Sequence, residues 1–211
     1  MIKVKNEEFQ KSNFKNISEY VQCKKTIMES VKSILWAIGE DPDREGLRDT
    51  PERVARMYLS ELAIGTNTDL AQELSTTFSE NHYEMIAITD IQFYSLCEHH
   101  MVPYFGKVHV AYIPNGQVVG LSKIARLVDK AARALTIQER LTSTIADTIY
   151  TTLSPKGVMV VIEAEHLCMA MRGIKKPGAV TTTSAVRGVF KANAEGDSSP
   201  REEFLKLLRR K

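Results

Sequence analysis

The segment from Tyr83 to Pro114, YEMIAITDIQFYSLCEHHMVPYFGKVHVAYIP, contains the pattern that decides the fold. Its two ends, 83–95 and 106–114, are rich in β-branched and aromatic residues, which is typical of β-strands. Between them, SLCEHHM at 95–101 places a cysteine, an acid and two adjacent histidines close together. The segment therefore predicts two strands joined by a loop that is rich in metal-ligating and proton-carrying side chains.

The chain after this segment repeats the strand pattern. Two helical patterns follow, and two further strand patterns occur at 157–169 and 178–190. Thr136 and Glu139 have the spacing of a capping box, which predicts the start of the second helix. A last short helix is predicted near Ser199. This order favours an α+β fold, in which a four-stranded antiparallel sheet carries helices on one face.

The N-terminal part has a different character. After a polar stretch, apolar residues recur at helical spacing from Ile17 to Ile38. Thr50 followed by Pro51 has the form of an N-cap with proline at the first helical position, and this second helix is expected to stop near Gly65. We predict three regions: a flexible arm at 1–16, a helical extension at 17–80 and a sheet-containing domain at 81–211.

Composition limits the class of protein. The 211 residues are 43% hydrophobic, which is enough for one sizeable core. The net charge of +2 argues against a dedicated nucleic-acid-binding protein. No apolar run is long enough to span a bilayer, and the polar N-terminus does not resemble a signal peptide. We therefore expect a cytoplasmic protein with no membrane or nucleic-acid partner, whose three cysteines are thiols or metal ligands.

Three separated side chains are candidate metal ligands. Cys97 and His100 form a C-x-x-H pair, which alone is more often an ordinary turn. Cys168 ends a strand pattern, and strand alternation would place it on the same face as His166. If that strand lies beside the C-x-x-H loop, three ligands converge and leave a fourth position open, as in catalytic zinc sites. The alternative is a set of unconnected thiols, and Cys23, within a helical pattern, is interpreted as a packed thiol.

Two further features have a functional and a structural interpretation. Lys123 and Arg126 fall in the first turn of a predicted helix, where positive charge opposes the helix dipole. A bound anion would explain them, and a solvated basic face is the alternative. Glu139 either caps its own helix through Thr136 or accepts hydrogen bonds from a bound base.

Several stretches together carry a resemblance to a known family: GEDPDREGLRDTPERVARMY, SLCEHHMVPYFGKVHVAYIP, GLSKIARLVD, IQERLT, HLCMAMRG and TTTSAVRGVF. Spanning 39–190 in this order, with REEFLKLLR at 201–209, they resemble the GTP cyclohydrolase I family. The resemblance implies a tunnelling fold (T-fold) for the catalytic domain. It also implies zinc-dependent hydrolytic opening of the guanine imidazole ring of GTP at C8 and release of formate. Ribose rearrangement and closure to 7,8-dihydroneopterin triphosphate would follow, as the first step of folate and pterin biosynthesis.

The resemblance also implies roles for the residues near the C-x-x-H loop. Cys97, His100 and Cys168 match the zinc ligands of the family. His166 matches the residue that protonates the purine at N7. His99 matches a second acid–base histidine, used in ring opening and in the ribose rearrangement.

Substrate contacts follow from the same resemblance. Ser122 matches a residue that contacts the ribose. The segment that reads guanine is matched by Gln138, Glu139 and the backbone around Ile137. The implied triphosphate contacts are all basic: Lys123, Arg126, Arg172 and, from a neighbouring subunit, Arg53.

The resemblance implies a homo-oligomer. The family joins sheets into a barrel, as pentameric rings stacked into a decamer, with active sites between subunits. Such an assembly would cover the face and edges that an open sheet leaves exposed. The alternatives are a T-fold pterin synthase, whose zinc is held by three histidines, a nitrile-reducing deazaguanine enzyme that needs no zinc, and a non-catalytic zinc-stabilised module.

Overall fold

The computed structural model describes residues 6–10, 12–191 and 199–209. The chain divides into two compact units, residues 1–68 and 69–211. Of the predicted arm at 1–16, residues 1–5 and 11 lie outside the described residues. In the described part of the chain, no helix is both long and apolar enough to cross a membrane.

The first unit is helical in its described residues. Its elements are α1 (Asn6–Gln10), α2 (Ile17–Ala37), α3 (Thr50–Met57) and a π-helical turn (Tyr58–Leu62). The predicted long helix is confirmed, and the Asn16 side chain caps it by accepting from the backbone N–H of Glu19 at 2.8 Å. The predicted N-cap of α3 is wrong by one residue, because Asp49 holds the cap position and Thr50 is already helical.

A buried lysine holds the short helix α1 against the rest of this unit. Lys24 of α2 is fully buried, and its Nζ lies 3.1 Å from a Glu8 carboxylate oxygen and 3.0 Å from one of Glu52. A buried ammonium requires such partners, since an unpaired buried charge is costly. Residues 6–10 of the predicted arm are therefore helical and anchored by an ion pair.

The second unit contains the sheet. Its strands are β1 (Thr77–Ser79), β2 (Ile86–Cys97), β3 (Pro103–Ile113), β4 (Gln117–Val119), β5 (Leu135–Thr136), β6 (Gly157–His166) and β7 (Val180–Gly188). Its helices are α4 (Leu121–Ala132), α5 (Gln138–Leu153), α6 (Leu167–Ala170) and α7 (Pro200–Leu208), with 3₁₀ turns at Leu70–Leu74 and Val189–Lys191.

The main sheet has the order β5-β2-β3-β6-β7. Its four long strands are antiparallel, as the sequence predicts. The two residues of β5 add a fifth strand that the sequence analysis does not predict, and this strand pairs with the end of β2 in parallel. β1 and β4 form a separate two-stranded ladder.

Helices pack on both faces of the main sheet. The larger core cluster joins Ile124 of α4 and Ile145 of α5 to sheet residues such as Val160. A second cluster joins Phe204 of α7 to Met159 of β6. Met159 is next to Val160 in the strand and therefore points to the opposite face of the sheet. The predicted placement of all helices on one face is therefore wrong for α7, since the second face is also apolar and needs cover.

Residues 69–80 belong to the sheet-containing unit, whereas the sequence analysis places them in the helical extension. Leu74 is buried in the larger core cluster, and Glu73 accepts from the Lys130 ammonium of α4 at 2.9 Å. These contacts within the second unit explain why the division falls after residue 68.

Candidate metal centre and active site

A tight turn at the end of β2 presents the C-x-x-H pair. The backbone N–H of Cys97 donates to the Val102 carbonyl at 3.0 Å, and that of Met101 donates to the Cys97 carbonyl at 2.8 Å. Met101 adopts a φ of 54°, a left-handed conformation that closes the turn. The turn therefore places His100 next to Cys97 before the chain returns as β3.

Strand register brings the third thiol to this turn. β3 lies between β2 and β6, and its Tyr104 pairs with His166 at the end of β6. The chain then enters α6, a single helical turn that carries Cys168. The predicted convergence with Cys97 is realised, but not through strand alternation, because Cys168 is helical and lies beyond the strand.

Three ligand atoms meet at this point. One donor each from Cys97, His100 and Cys168 lie within 4.8 Å of one another, with the Cys97 Sγ 3.9 Å from the His100 Nδ1. Tetrahedral zinc with ordinary bond lengths needs sulfur and nitrogen about 3.6 Å apart, so the Cys97–His100 pair needs only a small contraction. Within the described residues, this group includes no fourth His, Cys, Asp or Glu. The arrangement is compatible with a zinc ion that keeps one position open.

The chemistry of the donors also suits zinc. Burial raises the pKa of the Cys168 thiol, and the neighbouring Cys97 raises that pKa further. Two adjacent thiols ionise together only when a cation accepts both thiolates. Soft sulfur ligands with one imidazole are a donor set that zinc prefers over magnesium or calcium.

Arg172 contacts the far side of the His100 ring. Its guanidinium Nη1 lies 2.8 Å from the His100 Nε2, and a guanidinium can only donate, so this nitrogen accepts. If His100 bound a metal through Nδ1, its ring proton would have to be on Nε2. That N–H would then face the Arg172 guanidinium, which cannot accept a hydrogen bond. Metal binding by His100 and this contact of Arg172 therefore exclude each other.

His166 lies beside the cluster without belonging to it. Its Nε2 lies 2.8 Å from the Gln138 Oε1, and its ring stacks on Tyr104 at 4.6 Å between centroids with an interplanar angle of 1°. Burial lowers the pKa of His166, and the charge of Glu139 partly offsets this. Burial also raises the pKa of Tyr104 to about 12, so the phenol stays neutral beside the imidazole. This histidine is thus held in one position by a neutral surface and one hydrogen bond.

The predicted capping box is wrong. α5 begins at Gln138 with Ile137 in the N-cap position and no side-chain cap. Thr136 belongs to β5 instead, where its backbone pairs with Cys97, and its hydroxyl donates to the Ile137 carbonyl at 3.2 Å. Within the described residues, the exposed Glu139 carboxylate makes no hydrogen bond or ion pair, so it is available to a ligand.

The remaining predicted site residues lie in several elements of the chain. Ser122 and Arg126 are exposed and Lys123 is half-buried at the start of α4. Among the described residues, no hydrogen bond or ion pair links them to the cysteine–histidine group. Arg53 is exposed on α3, where it pairs with Asp49 at 3.5 Å. His99 is exposed, with its ring centroid 6.3 Å from that of His100. The predicted acid–base role of His99 and the predicted substrate roles of the other residues stay predictions.

Sequence analysis missed two residues that support the site. Tyr104 carries the stacking surface for His166, and only the β3–β6 register places it there. Arg140 of α5 forms an ion pair with Glu98 in the ligand turn, and this hydrogen bond holds the pKa of Glu98 below its usual range. Neither residue has a sequence signal, because both contacts join distant parts of the chain.

Two thiols and one imidazole, next to a histidine held by a hydrogen bond and a stacked ring, define a candidate hydrolytic metal site on an α+β fold. The family model for GTP cyclohydrolase I matches residues 27–209. The chain belongs to the GTP cyclohydrolase I family.

Two bacterial relatives agree with this assignment. The chain is 56% identical over 188 residues to a GTP cyclohydrolase 1 of Bacillus subtilis (strain 168), covering 89% of this chain and 96% of the relative. It is 58% identical over 181 residues to one of Geobacillus sp. (strain WCH70), covering 85% and 94%. A solved structure of an archaeosine synthase QueF-Like in the apo form has 20% identity and a TM-score of 0.39, over 49% of this chain and 93% of that chain.

Proposed function

We propose that this protein is a zinc-dependent GTP cyclohydrolase. It opens the guanine imidazole ring of GTP at C8, releases formate, and closes the rearranged product to 7,8-dihydroneopterin triphosphate. The observation that carries the proposal is the convergence of Cys97, His100 and Cys168 within 4.8 Å, next to His166, in a chain of this family. The same membership supports a T-fold for the sheet-containing unit.

The proposed metal role is limited to water activation. Cys97, His100 and Cys168 would hold the zinc ion, which as a Lewis acid lowers the pKa of water to about 7. The open fourth position admits water or substrate, as catalytic zinc sites require. The chain's own residues then supply proton transfer, orientation and selectivity.

Proton transfer is assigned to two histidines. His166 would donate a proton to N7 of the purine, which makes C8 more electrophilic. Burial lowers the pKa of His166, which makes its imidazolium a stronger acid, and the charge of Glu139 limits this shift. His99, exposed on the ligand turn, would serve the later acid–base steps of ring opening and ribose rearrangement.

Substrate position depends on groups distributed over the chain. We assign Lys123, Arg126 and Arg172 to the triphosphate and Ser122 to the ribose. In the described part of the chain, no hydrogen bond or ion pair links Ser122, Lys123 or Arg126 to the cysteine–histidine group. We therefore propose that subunits of a pentameric ring, stacked as a decamer, complete the site, with Arg53 contributed by a neighbouring subunit. Triphosphate binding far from C8 would then hold the base in the reactive position.

The test of the proposal is direct. Purified protein loaded with zinc should convert GTP to formate and a fluorescent pterin, and a chelator should stop both. Returning zinc should restore them, because the ligands are protein side chains that remain in place. Zinc-loaded protein that binds GTP but releases no formate would contradict the proposal and favour a binding module.

Glu139 is expected to determine selectivity for guanine. Its carboxylate can accept from both N1–H and the exocyclic amine of guanine, and hypoxanthine lacks that amine. Glu139→Ala should lower kcat/KM for GTP by roughly 10²–10⁴-fold, since two charge-assisted hydrogen bonds are lost. The preference for GTP over inosine triphosphate should fall as well.

The matched control for this prediction is Glu203→Ala, which removes an exposed carboxylate in the first turn of α7. It should leave the kcat/KM of both nucleotides unchanged. Steady-state kinetics with the two nucleotides make the comparison. An unchanged GTP preference in Glu139→Ala would refute the guanine-reading role.

A further inference from the structure

The side chain of Gln138 is buried between the sheet and His166. It is 1% exposed. Its Nε2 lies 3.0 Å from the Ile162 carbonyl oxygen, 2.9 Å from that of Thr181 and 3.1 Å from the Thr183 Oγ1. Its Oε1 lies 2.8 Å from the His166 Nε2. Every polar atom of this amide is therefore engaged within the chain, although the resemblance places Gln138 among the residues that read guanine.

Two carbonyl acceptors determine which way the amide faces. Carbonyl oxygens only accept, so the amide nitrogen must face Ile162 and Thr181; the flipped amide would place oxygen against oxygen. The hydroxyl groups of Thr142 and Thr183 lead to the same orientation of the Gln138 amide. Thr142 donates to the Gln138 backbone carbonyl at 2.7 Å, so Thr183, 2.7 Å from the Thr142 Oγ1, must donate to Thr142. Thr183 is then left to accept from the Gln138 Nε2.

The orientation of the amide has a consequence for His166. The Oε1 of Gln138 can only accept, so the imidazole Nε2 that faces it must carry a proton. We propose that Gln138 is a positioning residue that holds His166 as the Nε2–H tautomer, so that only Nδ1 exchanges a proton with the substrate. The parallel ring of Tyr104 fixes the plane in which Nδ1 points. That the proton goes to a purine rests on the proposed function. The tautomer of His166 does not depend on it.

This assignment differs from a merely structural role in a way that can be measured. A glutamine that only ties α5 to the sheet would leave the two tautomers of His166 free to interconvert. A glutamine that reads guanine would affect KM and not the imidazole. The tautomer of His166 in the absence of GTP therefore separates the three roles.

The experiment is solid-state NMR on sedimented, zinc-loaded, full-length protein with ¹⁵N-labelled histidine and no nucleotide. The chain has five histidines, and His166 is identified by the signal lost in His166→Asn. At a pH where the ring is neutral, we expect a protonated ε2 nitrogen and an unprotonated δ1 nitrogen. A protonated δ1 nitrogen in the wild-type protein would overturn the inference without any variant, and would leave the proposed function intact.

Two substitutions extend the test. Gln138→Met removes the acceptor at similar length, so both tautomers should appear, and kcat should fall roughly 10- to 100-fold with KM for GTP within about twofold. Gln138→Glu, as a neutral carboxyl group, keeps an acceptor for His166 and one donor for a sheet carbonyl, and should retain the Nε2–H tautomer and most of kcat. Zinc content and far-UV circular dichroism confirm that each variant is folded.

The outcomes separate the hypotheses. A single Nε2–H tautomer in Gln138→Met would show that other contacts hold the ring, and a raised KM with unchanged kcat would show that Gln138 contacts guanine. Either result overturns the inference. Wild-type protein that shows the Nε2–H tautomer but does not turn over GTP would refute the proposed function alone.

Discussion

Replacement of Cys168 by alanine is expected to remove both the bound zinc and the hydrolysis of GTP. Cys168 supplies one of only three donors in the group, and two remaining donors do not hold zinc tightly. Zinc held by these residues would supply the Lewis acid for water attack at C8, so activity without it should fall by more than about 10³-fold. Zinc measured by atomic spectroscopy and formate measured in the same preparation test both parts of this expectation.

The chain offers a matched control for that substitution. Cys23→Ala removes another half-buried thiol, in α2, which is not part of the metal group. This variant should keep its zinc and its activity. If Cys168→Ala retained stoichiometric zinc, the three-ligand assignment would be wrong. Far-UV circular dichroism distinguishes the loss of a ligand from the loss of the fold.

Replacement of His166 has a different expected result: zinc stays and the chemistry stops. His166 contacts Gln138 and Tyr104 and contributes no atom to the metal group. Loss of a positioned general acid typically costs roughly 10²–10⁴-fold in rate, so kcat of His166→Ala should fall within that range. Zinc content should equal that of the wild-type protein.

Two further variants sharpen this second prediction. His166→Gln places an amide N–H near the position of the imidazole Nε2, so it can still donate to the Gln138 Oε1. It cannot transfer a proton at neutral pH, so it should be as inactive as the alanine variant. His82→Ala, outside the cysteine–histidine group, is the histidine control and should keep the wild-type zinc content. Normal turnover by His166→Ala would exclude His166 as the acid, and loss of zinc would mean that it supports the metal.

Much of the fold follows from local patterns. The four long strands and the helices α2, α4 and α5 form where periodicity predicts them, because alternating and helical apolar spacing each suit one backbone geometry. The errors occur where a distant segment changes a local preference. Thr136 has the sequence of a capping residue, yet its backbone pairs with Cys97, so it extends the sheet and leaves Glu139 exposed.

The candidate site divides in the same way. The types of ligand are visible in the sequence, since C-x-x-H and a later cysteine two residues after a histidine supply the thiol and imidazole donors that zinc takes. Their convergence is not visible, because it requires β3 to lie between β2 and β6 and α6 to turn Cys168 back toward the loop. Arg140 and Tyr104 have no local signal for the same reason.

The sequence by itself therefore determined the elements, the donor types and, through its long motifs, the family. Only the tertiary structure decided that α7 covers the second sheet face, that three donors meet, and that the Gln138 amide faces His166 with its oxygen. The physical reason is that periodicity and residue type depend on neighbours in the chain. Hydrogen-bond direction, metal geometry and the tautomer of an imidazole depend on which distant atoms lie within about 3 Å.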